Sequence, residues 1–520
     1  MSFQLTFYSL VLVSLLLFLH RKTLKSKGIR PRGPPGLPFI GNIHQIRKHP
    51  WITFMEWSKI YGPIFHLNIA GQDAIVLGSH KVAADLLDRR SAIYSDRPRN
   101  IVTRILTGDL VFAFTQITPI WRRMRRASHD ALGPKVSKTY HVLQEREVVW
   151  LADQMIKAPT LFRSHIQRTS ASLVMSIIYG TPIADSEDPI ILEIQHFVDR
   201  ALGAAAPGAF IVEYFTWMQY LPRWMSGWRR YAEYWYEKDS ALLTGLFSGV
   251  QARVDAGDNG PSVAAKLIKV QDQDSLSVLD SAWLSATLYA AGAETSAGQM
   301  EWFMVSMILN PGVQKAAHTE MDNIIGRGRM PTLNDYDQLP YIRAIVKEVL
   351  RWRPVLPLGA CLPHRLSQDD WYDGYFLPKD TTVIPNIWGL NHDTTVYGSD
   401  ADTFRPERHL DEAQKLKPAP KDTKEESHCS FGFGKRVCVG RHVANRTLFI
   451  EVATILWSFN ICAAQDESGN FVMPSSEPAT EGTSLILRPR VFGCELIPRF
   501  SEVPTIIAHT MDVQNSDATM

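Results

Sequence analysis

Phe431-Gly-Phe-Gly-Lys-Arg-Val-Cys438-Val-Gly440 holds one cysteine in a loop whose glycines leave the backbone bare. Gly432 and Gly434 can take positive φ and carry no side chain to obstruct a large planar group, and Gly440 lets the following segment pack closely. Arg436 can neutralise an acidic group with a planar, permanently charged guanidinium. Together these residues predict a bed for a macrocycle that carries carboxylates. From Gly440 through Ala444 to Ile450 and Ala453 the chain reads as a helix. A thiol just ahead of a helix N-terminus is expected to have a lowered pKa and to favour thiolate. For a lone cysteine, a buried structural role beside a glycine-rich turn is the competing reading.

Distant segments supply further parts. The run Leu339-Pro-Tyr-Ile-Arg-Ala-Ile-Val-Lys-Glu348-Val-Leu-Arg351-Trp-Arg-Pro354 predicts one helix. Pro340 suits its first turn, Ile342, Ile345, Val346, Val349 and Leu350 recur at helical spacing, and Pro354 stops it. Glu348 and Arg351 share a face, although such a pair by itself reads as a surface bridge of little worth. A second, long apolar helix is predicted from Asp280 to Leu309, closed by Asn310-Pro311-Gly312. At its middle Ala291 and Gly292 leave room, and Glu294 and Thr295 place an acid and an alcohol at the same level. A local groove is expected there, against ordinary close packing with Thr295 bonding its own preceding turn. In Trp121-Arg-Arg-Met-Arg125-Arg126, Trp121 and Arg125 lie four apart and face the same way on a helix, unless the segment is only a basic solvated face.

Phe431, Gly434, Arg436, Cys438 and Gly440 match F-x-x-G-x-R-x-C-x-G position for position, so the chain resembles the cytochrome P450 family. The resemblance spans about Pro31 to Arg499, with the motifs in the expected order. It implies that Cys438 is the axial ligand of the iron of heme b (iron protoporphyrin IX). Phe404-Arg-Pro-Glu-Arg408 is similar to the family's F-x-P-x-R segment, which implies a buried structural triad of Glu348, Arg351 and Arg408 supporting the cysteine loop. His409 departs from the pattern, where an aromatic is usual. Ala291 to Ser296 match A-G-x-[DE]-T-[TS], implying that Thr295 and Glu294 are catalytic and help deliver protons during dioxygen cleavage. The W-x-x-x-R match assigns Trp121 and Arg125 to a heme propionate and leaves Arg122, Arg123 and Arg126 to face an acidic electron donor. Leu362-Pro-His364-Arg365 is similar to the family's P-H element, whose imidazole also reaches a propionate, although the preceding Val355 to Leu362 runs longer than usual.

The fold implied is mainly α with a small β region (α+β), the cytochrome P450 fold, as a single large catalytic domain after an N-terminal transmembrane helix. Strand signals agree: Ile64 to Leu77 alternates around a glycine turn, and Trp371-Tyr-Asp-Gly-Tyr-Phe and Thr382-Val-Ile-Pro flank another. The expected divisions are 1–20 as the anchor, 21–42 as a basic, proline-rich hinge, 43–500 as the heme-thiolate domain, and 501–520 as a polar, disordered tail. A net charge of +2 over 520 residues excludes a polyanion-binding class. Five cysteines give no disulfide framework and fit a reducing compartment.

The uncharged run Phe3 to Leu19 is just long enough to cross a bilayer core, which takes about 17–25 residues. Basic residues follow it, so the positive-inside rule places the body in the cytosol, and the family resemblance implies a single-pass endoplasmic reticulum membrane protein. Ala204 to Trp224 is apolar and aromatic; it reads as a pocket roof or membrane-dipping segment, or else as plain core. Similarity to fungal microsomal members of the O-methylsterigmatocystin oxidoreductase type implies a monooxygenase fed by NADPH-cytochrome P450 reductase, with or without cytochrome b5. Its substrate would be an apolar small molecule of secondary metabolism: a terpenoid, polyketide, aromatic or alkaloid. The alternatives are a heme-thiolate isomerase or dehydratase working without reductase, and a non-catalytic heme carrier or sensor.

Overall fold

The structure is a computed structural model that describes residues 28–38, 40–46, 49–183, 189–206, 208–270, 276–359, 362–479 and 486–519. The expected membrane anchor, Phe3 to Leu19, lies outside these residues. Among the described residues no helix is long and apolar enough to cross a membrane.

The longest element is the helix Val278–Leu309. Ser277 starts it with a reciprocal capping box to Asp280, and Asn310 and Pro311 end it. Its 32 residues make it about 48 Å long. Its two halves belong to different cores. Ala282 to Ala293 pack with the helices Phe162–Tyr179, Pro189–Ala205, Gly227–Asp255 and Val263–Lys269. Ala297 to Ile308 pack with His141–Lys157, Pro340–Trp352 and Arg441–Ser458, around the buried Trp302 and Trp457. Ala291 to Ser296 span the seam where the first core ends, at Ala293, and the second begins, at Ala297. The helix runs through this seam without interruption, so small side chains, not a break in the helix, make the space.

The small β region is a four-stranded sheet, a three-stranded sheet and one two-stranded hairpin. In the first, Ile64–Ile69 pairs antiparallel with Gln72–Leu77, which pairs parallel with Thr382–Pro385, which pairs antiparallel with His364–Arg365. Ala70 and Gly71 turn the first hairpin with φ of +49° and +85°, the pattern that two-residue hairpin turns require. The last of these strands puts His364 beside the cysteine loop's neighbours rather than at the surface.

The tail expected to be disordered instead forms the helix Val503–Thr519. Val503, Ile507 and Met511 recur every fourth residue, and the first two are fully buried in the same core as Val148 and Val149. That apolar stripe outweighs the polar composition.

Candidate active site

The cysteine loop is held from two sides. Gly432 and Gly434 take φ of +75° and +53°. A Cβ on Gly434 would fall 2.1 Å from the Leu87 carbonyl oxygen, so no other residue fits there. The Gly434 amide donates to Asp88 at 2.7 Å, and the Cys438 amide donates to the Phe431 carbonyl at 2.8 Å, closing the loop over the helix Arg441–Ser458.

Below it lies the Glu348 network. Both Glu348 oxygens accept from Arg351, at 2.8 and 2.7 Å, and Arg408 Nε donates at 2.8 Å. His409 Nε2 lies 2.9 Å from the same carboxylate, and the Arg405 amide donates at 2.9 Å. His409, where sequence saw only a departure from pattern, therefore joins the network. Burial holds its imidazole below the usual range, more than Glu348 raises it, so it serves as a neutral N–H donor. Arg351 and its neighbours hold the Glu348 carboxyl far below the usual range, against its burial. Arg351 also donates to the Asn391 carbonyl at 2.6 Å. The Asn391 side chain in turn accepts from the Cys429 amide and donates to Ser430, each at 2.9 Å. Ser430 is the residue before Phe431, so the network reaches the cysteine loop through Asn391.

Cys438 keeps exposed surface although the protein around it desolvates its thiol. Burial pushes the thiol up, against the Gly440 amide and the Arg125 and Arg441 guanidiniums. The expected lowering is thus overturned: local position favours thiolate, but depth wins, and a cation at sulfur would be needed to reverse it. The other cysteine of the region, Cys429, is fully buried 3.3 Å from His80 with its thiol pushed far up, and it is no ligand candidate.

Beside the loop stands a group of cations, Arg97 buried and Arg125 and Arg436 half-buried, without ion-pair partners among the described residues. Arg436 donates to the carbonyls of Ser95 at 2.8 Å and Thr115 at 2.7 Å. Arg97 donates to Ala113 and Pro363, each at 3.0 Å, and Arg125 to Val437 at 2.8 Å. Asp96, the acid closest at hand, is committed to Arg365. Burial and mutual repulsion depress Arg436 to about 8 and burial depresses Arg97 to about 10. Guanidinium does not give up its proton in proteins, so these values express a demand for negative charge. Trp121 adds a buried Nε1–H with no partner, on a ring stacked against Phe112 at 5.8 Å and covered by Arg436 at 4.2 Å. This donor set fits a planar dianion with two carboxylates, as heme carries. His364 fits less well than expected. Its Nδ1 faces the Tyr94 carbonyl at 2.8 Å, and burial with Arg97 and Arg436 holds it down to about 3. As a neutral ring it can present only a lone pair at Nε2, so it would orient the site without donating to a carboxylate.

The long helix is buried except at its seam, where Ala291 is exposed and Glu294, Thr295 and Ser296 are half-buried. Gly292 and Ser296 line, with Gly440, Val443 and Ala444, a cavity of about 70 Å³, which puts the two segments face to face. Thr295 Oγ1 donates to the Ala291 carbonyl at 2.7 Å, so its proton is held by its own preceding turn while its lone pairs stay free to accept. Glu294 is turned to an ion pair with Arg488, which also binds the buried Glu301.

Sequence reasoning missed Arg97, Asn391 and Asp88. Arg97 stands in Ser95-Asp96-Arg97-Pro98-Arg99, which reads like any charged surface turn, and only its burial singles it out.

The profile of the cytochrome P450 family matches residues 31–481. A cytochrome P450 monooxygenase of Armillaria gallica is 49% identical over 478 residues, 92% of this chain and 91% of the relative. Cytochrome P450 monooxygenase 58 of Postia placenta is 44% identical over 95% of this chain and 94% of its own. The monooxygenase iboC of Amanita muscaria is 36% identical over 97% of each. With a loop built around one cysteine, a cluster of cations without ion-pair partners among the described residues and these relatives, the chain belongs to the cytochrome P450 family and is a monooxygenase of it.

Proposed function

We propose that Cys438 would hold the iron of heme b through its thiolate, and that the enzyme oxidises an apolar small molecule of fungal secondary metabolism with electrons from an NADPH-dependent reductase. The observation that carries this reading is the set of guanidiniums, Arg97, Arg125 and Arg436, that stand beside the Cys438 loop with carbonyls for partners. When bound, heme supplies the activation of O₂, with thiolate donation favouring O–O cleavage. Arg97, Arg125, Arg436 and Trp121 would bind the propionates and so fix the macrocycle. Gly432, whose missing side chain faces open space, would leave room for its close approach. Arg125 and the Gly440 amide oppose the burial that would protonate Cys438. Thr295, with Oγ1 as acceptor, holds a proton-bearing water over the seam, and Glu294 connects it to the Arg488–Glu301 chain.

The domain divisions as far as residue 500, the anchor and the cytosolic, reticulum-bound placement belong to the same proposal. Support for membrane contact comes from the Ala204 to Trp224 stretch. There Ile211, Phe215, Trp217, Tyr220 and Trp224 point outward, Tyr220 and Trp224 being 83% and 76% exposed, so plain core packing does not account for them. Arg122 and Arg126 are exposed on the Pro119–Leu132 helix and offer charge to an acidic reductase.

The carbon-monoxide difference spectrum of the reduced protein tests the central claim. A thiolate-type Soret band in the wild type, lost in Cys438→Ala, is the expected result. An unchanged spectrum in the variant, or no heme binding in the wild type, overturns it. Consumption of NADPH with reductase and a substrate then separates the monooxygenase from a reductase-independent isomerase and from a heme carrier.

A further inference from the structure

Thr447, Glu451, Thr454 and Ser458 recur at helical spacing on one buried face of the helix Arg441–Ser458. That face meets the helix His141–Lys157, where Gln144 Nε2 donates to Thr447 at 2.8 Å. A polar stripe in a core is costly unless every atom is bonded. Here Glu451 Oε2, Thr454 Oγ1, Ser458 Oγ and Gln144 Oε1 have no partner among the described residues, nor have the hydroxyls of Thr169 and Ser170 on the adjoining helix Phe162–Tyr179. Only small polar guests such as water can satisfy so many atoms in so little space.

One cavity touches the stripe at Thr447, and a second lies beyond Glu147 on the neighbouring helix. The outer one, about 210 Å³, is lined by Arg146, Glu147, Arg253, Asp258 and Ser262. The inner one, about 70 Å³, is lined by Thr447 and by the unpartnered Ser170, and reaches Gly292 and Ser296 on the long helix. Glu451 itself lines neither cavity; it stands one helical turn from Thr447, which lines the inner one, and within electrostatic reach of Glu147, which lines the outer one. Glu147 is itself tied to Arg168 at 2.6 Å and to Ser172 at 2.7 Å.

We propose that Glu451 is a proton-holding station on a hydrated path that enters at the Glu147 cavity and ends behind the Ala291–Ser296 segment. The inference rests on the functional reading above, in which that segment consumes protons. The Glu451 carboxyl releases its proton to water on the Thr447 and Ser170 side and becomes a carboxylate. It is then reprotonated from solvent by way of the Glu147 side, so no net charge accumulates. Burial, and after it the Glu147 carboxylate, push Glu451 up to about 8, so the group is loaded at neutral pH. Glu147, countered by Arg168, is the charged group that faces it from the packed helices.

Infrared difference spectroscopy of the full-length, heme-loaded protein tests this, with E451Q assigning the band. The expected result is a protonated-carboxyl carbonyl band that disappears between about pH 6 and about pH 10, is missing in E451Q, and shifts within the mixing time when the protein is moved into D₂O. A band that does not titrate, or that keeps its proton for hours in D₂O, shows a sealed structural carboxyl and overturns the proposal. Should E451Q fail to fold, Thr447→Val serves in turnover. It is expected to raise the peroxide released per NADPH several-fold while the thiolate spectrum stays, and an unchanged peroxide share overturns the inward branch. The infrared readout does not depend on turnover, so loss of the thiolate assignment and loss of this proposal remain separate results.

Discussion

Two clusters of charge lie within one loop of each other, and they are built on opposite principles. Around Glu348 the accounts close: one carboxylate meets Arg351 and Arg408, with His409 and a backbone amide taking up the remaining lone pairs. Around Arg436 they do not: Arg97, buried, and Arg125 and Arg436, half-buried, have carbonyls for partners and no carboxylate among the described residues. A closed network is a scaffold and rigidifies what it touches. An open one of a single sign costs free energy in the protein alone and recovers it when a ligand of the opposite sign arrives.

The comparison breaks most visibly at its closed half. Glu348→Gln leaves two buried guanidiniums facing a neutral amide, and removal of one partner from a buried pair costs about 3–5 kcal/mol. Thermal or denaturant unfolding of the heme-free protein should show this loss in full. Because the carboxyl is held below its ordinary range when folded, its contribution exists above that range and is lost as pH falls through it. The wild type should accordingly lose stability in acid, and the variant should lose less.

Arg436→Met is the matching probe of the open half. It removes a half-buried charge but also the bonds to Ser95 and Thr115, so heme-free stability should move by no more than about 1 kcal/mol. Heme retention should suffer instead. A charge-assisted bond is worth about 1.5–3 kcal/mol, or about 10–100-fold in the rate of heme transfer to excess apomyoglobin. Equal losses in both measurements would erase the distinction between the clusters.

His409→Phe sharpens the closed half. It restores the aromatic that the family pattern favours, yet here it strands one Glu348 lone pair. The expected cost is about 1–2 kcal/mol of stability, with heme release unchanged.

What the sequence made legible was local. The cysteine loop, the Pro340–Trp352 helix and the glycine hairpins follow from residues that are neighbours in the chain, where spacing carries the physics. Depth is not local. The thiol was expected to be acidic from its place before a helix, and burial reverses that. Arg97 and Asn391 reach the site from segments far along the chain, with nothing in their own surroundings to mark them. The C-terminal helix was misjudged for a different reason, because composition drowned a stripe of three apolar residues that packing could use.

Glu451 offers the most specific test, since it is a buried acid that neither cluster neutralises. Its proton is bound in the folded state up to about pH 8 and released in the unfolded state near the ordinary value of 4.5. Between these limits the native state carries the extra proton, so stability must fall as pH rises, by at most about 1.4 kcal/mol per unit, and level off beyond. Glu451→Gln removes that proton difference without removing the side chain's volume. The slope of unfolding free energy against pH should therefore flatten in the variant over this window and coincide with the wild type's outside it. A slope that survives the substitution would assign the buried proton elsewhere, with Glu147, also raised by burial, as the group to change next.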